Sequence, residues 1–303
     1  MRHIAVLIIL SLPVGLLSSQ NSFEDEILDK ILSSDIFSPA PPGGNLFLAF
    51  AESLYATEEY DEAKGEYKRA VFLSGDKSVI RFATYKLSVC LLREKDFKDA
   101  LSVLSSFDYD LDDTISITAH LLSVLAFALS GKEESSRFEL ANLTSRAEPD
   151  ILPKILYIKG WSELILGDIE GAKSSFEAVV KTESDTPERD RSYPILREIK
   201  SFRPFYVSPE QARWLSIVIP GAGQMYAGET KEGINSLAIN LLLGGATVSY
   251  LFKGGYVQAA TITTLLWSRY WWGSNINAAR LAEEKNKRIN REFVLKLVRE
   301  YGI

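Results

Sequence analysis

The chain is poor in the residues from which disulfide scaffolds and many metal or redox sites are built: cysteine occurs once in 303 residues and histidine twice. A lone thiol closes no internal disulfide, and two histidines leave too little material for a His/Cys metal site. Cys90, inside the helical pattern YKLSVCLL, reads as a small buried residue. His120, in ITAHLLSVLAF, has no recognisable Ser or Cys partner and reads as a satisfied core or interface residue rather than a base. No Gly-Lys-Ser/Thr phosphate loop occurs, and the glycines of GAGQMYAG (Gly221, Gly223, Gly228) lack dinucleotide-fingerprint spacing. The run Asp108 to Thr114 opens like a calcium loop, but Asp113 and Ala119 stand where Gly and Glu are required, so it reads as a solvated turn. No catalytic residue, metal or cofactor is expected from these motifs. Carboxylates alone can still build an enzyme, and their pairing in space is not visible in a sequence.

Positive charge is scarce in the first two-thirds. Residues 20–190 carry 32 acidic against 18 basic side chains, whereas residues 191–303 carry 15 basic against 8 acidic. An acidic soluble part joined to a basic, apolar part is the asymmetry expected when only the second meets anionic headgroups. The acidic part would repel phosphate, which argues against a nucleic-acid partner.

The first nineteen residues have the three parts of an export signal. Arg2 and His3 precede an apolar core from Ile4 to Leu17, and the small residues Ser18 and Ser19 follow. That core falls short of the ~20 apolar residues a span needs, so cleavage near Ser19 or Gln20 is expected, with an uncleaved anchor as the alternative. No cysteine follows to carry a lipid. In the segment 20–43, Ser22 is the expected cap of an amphipathic helix whose Phe23, Ile27, Leu28, Ile31 and Leu32 share one face, and SPAPPGGN is the linker that stops it.

From Asn45 onward the chain repeats. Glu58–Leu73, Glu94–Phe107, Ser130–Leu143 and Leu166–Val180 align on Ala63, Ala100, Ser136 and Ala172, at spacings of 37, 36 and 36. Such a period signals stacked helix pairs, because one pair alone cannot bury its apolar face. With the turns Glu59-Tyr60, Asp96-Phe97 and Gly167-Asp168-Ile169, and the large residues Tyr67, Leu104, Leu140 and Phe176, residues 44–190 resemble tetratricopeptide repeats. The third is the poorest match. The resemblance implies a groove lined by the first helix of each pair, presenting Glu52, Tyr55, Tyr85, Arg93, Tyr157 and Trp161 beside Leu48, Val89 and Leu164 to a peptide or protein. The competing reading is that Tyr157 and Trp161 pack against residues 191–203, folded back as a capping helix within the stretch 191–208.

Residues 209–273 read as a membrane domain. Ser208-Pro209-Glu210-Gln211 starts a helix that must end by Pro220 and is too short to cross a bilayer. A glycine-rich bend follows, then an apolar run from Ile234 to Phe252, a break at Lys253-Gly254-Gly255, and a second apolar segment from Tyr256 to Trp272 ending in an aromatic belt. Asn235, Ser236 and Asn240 are expected to face a partner helix. Pro220, Gly221, Gly223, Gln224, Tyr226 and Gly228 resemble the Pro-Gly-x-Gly-Gln-x-Tyr-x-Gly signature of small bacterial membrane-hairpin domains. Two roles are open for it, a tight re-entrant bend or a ligand site. Residues 274–303 read as a basic amphipathic helix lying on an anionic membrane surface, with Ile289, Phe293, Leu297 and Tyr301 along its apolar face.

The expected fold is therefore all-α, a tetratricopeptide-like helix-pair solenoid followed by a small helical membrane domain. The expected role is a membrane-anchored scaffold of the bacterial cell envelope that binds a protein or peptide, in envelope assembly or secretion, with its repeats periplasmic. The alternative is a membrane enzyme or transport accessory with its site at the Pro220–Gly228 turn. Topology holds a conflict: export puts the repeats outside and two spans return the tail to them, whereas the positive-inside rule draws the basic tail to the cytoplasm. A third crossing, or an outer-membrane or peripheral location, would reconcile the two.

Overall fold

Asparagine, aspartate, serine and threonine stand where several of the helices begin. Asn45 accepts from the amides of Phe47 and Leu48, Asp76 from Ser78, Asp113 from Ser116, and Ser208 from Gln211. Each satisfies amide groups that a helix start leaves unpaired. The computed structural model describes residues 14–43, 45–110, 113–182 and 185–303, with side chains from residue 23 onward. Among them every regular element is helical and no strand occurs. They divide into two units, one of residues up to Phe202 together with Val294–Ile303, the other of Arg203–Phe293. These bounds differ from the expected ones: the stretch 191–208 is cut at residue 202, and the tail at residue 293.

In the first unit, α1 (Val14–Ser33) and a 3-10 turn (Asp35–Phe37) precede α2 (Leu46–Ala56), α3 (Tyr60–Leu73), α4 (Lys77–Arg93), α5 (Phe97–Leu104), α6 (Thr114–Leu129), α7 (Glu133–Arg146), α8 (Leu152–Leu166), α9 (Ile169–Val180) and α10 (Pro187–Ser201). Successive helices pack as the pairs α2–α3, α4–α5, α6–α7 and α8–α9, and the first helices also meet one another, α2 with α4, α4 with α6, α6 with α8. Ala63, Ala100, Ser136 and Ala172 are fully buried, as the 36–37-residue period requires. Ser136 is tolerated at a site suited to alanine because its hydroxyl donates to the Val124 carbonyl (3.0 Å) and meets the Ser162 hydroxyl at 2.8 Å. The turn inside each pair has the same geometry. Glu58, Lys95, Gly131 and Gly167 adopt left-handed φ of 64°, 63°, 70° and 88°. The next amide then reaches back to the carbonyls of Leu54, Leu91, Phe127 and Glu163 at 2.8–3.0 Å, closing the helix end.

Three expectations change here. The first helix does not start at Ser22 but runs unbroken from Val14, since no proline interrupts residues 14–33; residues 1–13 of the expected signal lie outside the described residues. The capping helix starts earlier than expected, at Pro187, where the Thr186 side chain accepts from the Arg189 amide, and it packs on α8 and α9 through Ile195, Leu196 and Ile199. The chain's last ten residues do not offer a free apolar face: Val294, Leu297, Val298 and Ile303 are buried within the first unit. There Lys296 pairs with Glu198 (2.7 Å), Arg299 with Glu26 (2.5 Å), and the Ile303 carbonyl accepts from Ser34 (2.6 Å).

In the second unit, α11 (Pro209–Val218), the one-turn helix α12 (Ala222–Tyr226) and α13 (Thr230–Phe252) are followed by α14 (Tyr256–Thr261), a π-helical turn (Ile262–Trp267) and α15 (Ser268–Tyr301), whose last turns belong to the first unit. The expected second apolar segment and the expected tail are thus one continuous helical run. The return leg lies antiparallel to α13: Thr263 meets Thr247 (3.4 Å), the Trp267 indole donates to Asn240 (3.2 Å) and Ser274 meets Ser236 (2.5 Å). Asn235, expected on that inner face, is exposed; Ser236 and Asn240 are buried there. The connector Arg203–Ser208 is held to α15 by Asn286, which bonds both the amide (2.9 Å) and the carbonyl (2.8 Å) of Val207.

Candidate functional site

The expected groove residues separate into two groups. Between α2 and α4, Tyr67 donates to Glu52, Lys86 lies 3.2 Å from the same carboxylate, and the Lys86 ammonium sits 3.8 Å over the Tyr55 ring. Arg93 stacks over Tyr60 at 5.7 Å, and burial pushes the Tyr55 hydroxyl up from its usual range. On α8, Tyr157 and Trp161 form an edge-to-face cluster with Phe176 at 5.8 and 6.1 Å, and burial pushes the Tyr157 hydroxyl up to about 12. Gly160 admits the Phe176 ring, which lies 2.8 Å from where a Cβ would stand. Tyr85, Tyr157 and Trp161 are fully buried, as are Leu48, Val89 and Leu164 nearly so. These six cannot present a free recognition surface. For Tyr157 and Trp161 the aromatic spacing marks core, with α9 as well as the capping helix against α8.

What covers part of this face is the chain's own N-terminal segment. Phe23, Ile27, Leu28, Ile31, Leu32, Ile36 and Phe37 are buried, and α1 packs on α4 while the 3-10 turn packs on α6. Tyr85 donates to the Phe37 carbonyl (2.7 Å), Arg93 pairs with Asp29 (2.7 Å), Lys95 with Asp25 (2.5 Å), and Arg191 with Asp35 (2.8 Å). Two predicted groove residues, Tyr85 and Arg93, therefore do hold a helical ligand, but an intramolecular one. The carboxyls of Glu26 and Asp35 are held below the usual range, first by hydrogen bonds from Arg299 and Arg191. The available signal was charge complementarity, since the acidic residues of α1 face Arg93 and Lys95 at the end of α4.

The glycine signature is a packing device. Gly221 adopts φ 94° against the Gly233 carbonyl, and a Cβ on Gly223 would collide with the Ala212 carbonyl. Such approaches exclude any side chain. Gln224 is buried and bonded at both ends: its oxygen accepts from Ser216 (2.7 Å), its amide donates to the Ser274 carbonyl (3.0 Å) and hydroxyl (2.9 Å). Tyr226 donates to Gln211 (2.8 Å), Gly228 adopts φ 93°, and Pro220 ends α11. The stretch is helical at its centre rather than irregular, because residues 222–226 close one helical turn. Ser216, Ser236 and Ser274 complete a network whose bonded partners stand up to 50 residues apart in sequence.

Elsewhere, His120 has both ring nitrogens bonded, to Glu139 (2.6 Å) and to the Asp108 carbonyl (3.1 Å), beneath a stacked Tyr109. The acidic run is held by Arg81, which pairs with Asp108 (3.0 Å) and Asp113 (2.7 Å); Asp112 lies outside the described residues. Among the described residues no His/Cys/Asp/Glu cluster is arranged for a metal ion. Among the described residues one helix, α13, is long and apolar enough to cross a membrane, and little of it is buried within the protein. No protein-family model, curated protein or solved structure matches this chain.

Proposed function

We propose that the chain is a membrane-anchored, tetratricopeptide-like scaffold of the bacterial cell envelope, holding a helix-pair unit at the bilayer to bind a protein or peptide. The observation that carries this reading is the exposure of α13: Leu242 is 72 % and Phe252 89 % accessible, on a helix otherwise devoid of charge from Gly233 to its end. Water is a poor solvent for that surface and hydrocarbon a good one. The recurring turn with its left-handed residue, the four buried small residues and the contacts among first helices support the solenoid reading. The export-type N-terminus supports a periplasmic helix-pair unit.

The docked α1 supplies a template for the partner: an acidic amphipathic helix with apolar residues at intervals of four. Such a helix would compete with residues 23–37 for Tyr85, Arg93, Lys95 and Arg191. The alternative site at Pro220–Gly228 gains no support from the geometry, because Gln224 is spent on internal hydrogen bonds. Washing native membranes at high pH tests the anchor: the chain should stay with the lipid, and its release would contradict the proposal. A labelled peptide spanning residues 20–40 tests the groove. It should bind a chain in which Phe23, Ile27 and Ile31 are changed to Ser, and fail to bind that chain with Arg93→Glu added.

A further inference from the structure

Residues 203–293 enter and leave the first unit as an insertion, and this has a consequence for membrane topology. The segment before the insertion ends in α10, packed on α8 and α9. The segment after it, Val294–Ile303, is buried in the same unit and tied to it by Lys296–Glu198, by Arg299–Glu26 and by the bond from Ser34 to the terminal carbonyl. A folded unit lies on one side of a bilayer, so both ends of the insertion start from that side. The number of crossings between them is even.

The second unit has the parts for two. Its first leg, α13, has 23 residues, about 34 Å of helix against a hydrocarbon core of roughly 30 Å. The second leg runs back beside it, with Thr247–Thr263, Asn240–Trp267 and Ser236–Ser274 as successive cross-links of an antiparallel pair. Lys253, at the junction of the legs, is the one charged residue between Gly233 and Ser268. Ser236, Asn240 and Thr247 on one leg and Thr263, Trp267 and Ser274 on the other point inward at each other, while Leu241, Leu242, Val248, Leu251, Val257, Leu265 and Leu266 point outward and are exposed. Where water is absent, polar groups seek each other and apolar ones face lipid, which is the arrangement found. Charges gather instead at the other end of the legs, with Arg213, Lys231, Arg269, Arg280, Lys285, Lys287 and Arg288.

We infer that the outward apolar face of residues 230–272 is a bilayer-spanning surface that crosses twice, with the Lys253-Gly254-Gly255 tip on the far side and the chain's C-terminus returned to the side of the helix-pair unit. This rests on the membrane anchoring proposed above and removes the three-crossing solution. It holds for either compartment.

Cysteine labelling tests it on the full chain. Cys90 is buried, and Cys90→Ser gives a background without thiols. Single cysteines are then placed at three exposed positions, Ser53→Cys in the helix-pair unit, Lys253→Cys at the tip and Glu300→Cys in the tail. In sealed vesicles of native membrane, a membrane-impermeant maleimide should label Ser53→Cys and Glu300→Cys together from one face, and Lys253→Cys only from the opposite face. Labelling of Ser53→Cys and Glu300→Cys from opposite faces would overturn the inference while leaving the anchor intact. Labelling of all three from one face would show that α13 does not cross, which overturns the inference through the anchoring proposal beneath it. Circular dichroism of each variant confirms that it folds.

Discussion

Helices α6 and α13 are both apolar, and they are built inside out relative to each other. In α6 the leucines, valine and alanines between Ala119 and Leu129 are buried, and the polar members Ser123 and Thr118 are satisfied by carbonyls four residues earlier. In α13 the buried residues are Gly233, Ser236, Asn240 and Thr247, while Leu241, Leu242 and Leu251 are exposed. Apolarity alone does not say which solvent a helix faces. Its partner does: α6 is enclosed by protein on all sides, whereas α13 has one companion leg and offers it the polar stripe.

The largest effect should come from truncating each helix in turn. Leu121→Ala in α6 should cost about 2–5 kcal/mol of stability by opening a cavity, read as a lower urea midpoint for the full chain in mild detergent. Leu242→Ala in α13 should stay within roughly 0.5 kcal/mol of the parent, because no protein packs there. Equal losses would erase the comparison. Inside the second unit the polar network sets the next scale. Gln224→Leu removes three buried hydrogen bonds, one to Ser216 and two to Ser274, and should cost about 1–3 kcal/mol. Asn275, buried with neither side-chain atom bonded among the described residues, is the control: Asn275→Leu should be neutral or stabilising in the same urea titration.

The repeat register was legible in the sequence because a buried small residue recurs wherever two helices of a pair must approach, and Ala63, Ala100 and Ala172 mark those places. The groove was half legible. Helical spacing reports which face Tyr85, Tyr157 and Trp161 occupy, but not what covers that face, and α1 and Phe176 reach it from other parts of the chain. For Gln224 the sequence leaves both a bend residue and a ligand contact open, because its partner Ser274 stands 50 residues away. The tail suggests lipid for the same reason. Its apolar face was plain, and its protein cover, with Glu26 and Ser34 from the opposite end of the chain, was not.

A smaller effect separates the docked α1 from the pairs beneath it. Glu26 and Asp35 have folded pKa values below their unfolded ones, so their ion pairs stabilise docking above about pH 4 and the contribution is lost as pH falls through the folded values. Pepsin should therefore cut within residues 23–45 at pH 3 before it cuts the helix pairs, and a Glu26→Gln, Asp35→Asn variant should be cut there already at pH 5. The smallest effect concerns the turns. Glu58 holds a left-handed conformation that Gly131 and Gly167 adopt freely, so Glu58→Gly should raise stability by about 1 kcal/mol, seen as a higher thermal midpoint.

The central claim is that the exposed face of α13 meets hydrocarbon. A spin label on Leu242→Cys, in the Cys90→Ser background and reconstituted in phospholipid vesicles, reads this through its collisions with oxygen and with a water-soluble nickel chelate. The account predicts frequent oxygen collisions and few with nickel; frequent collisions with nickel would contradict it.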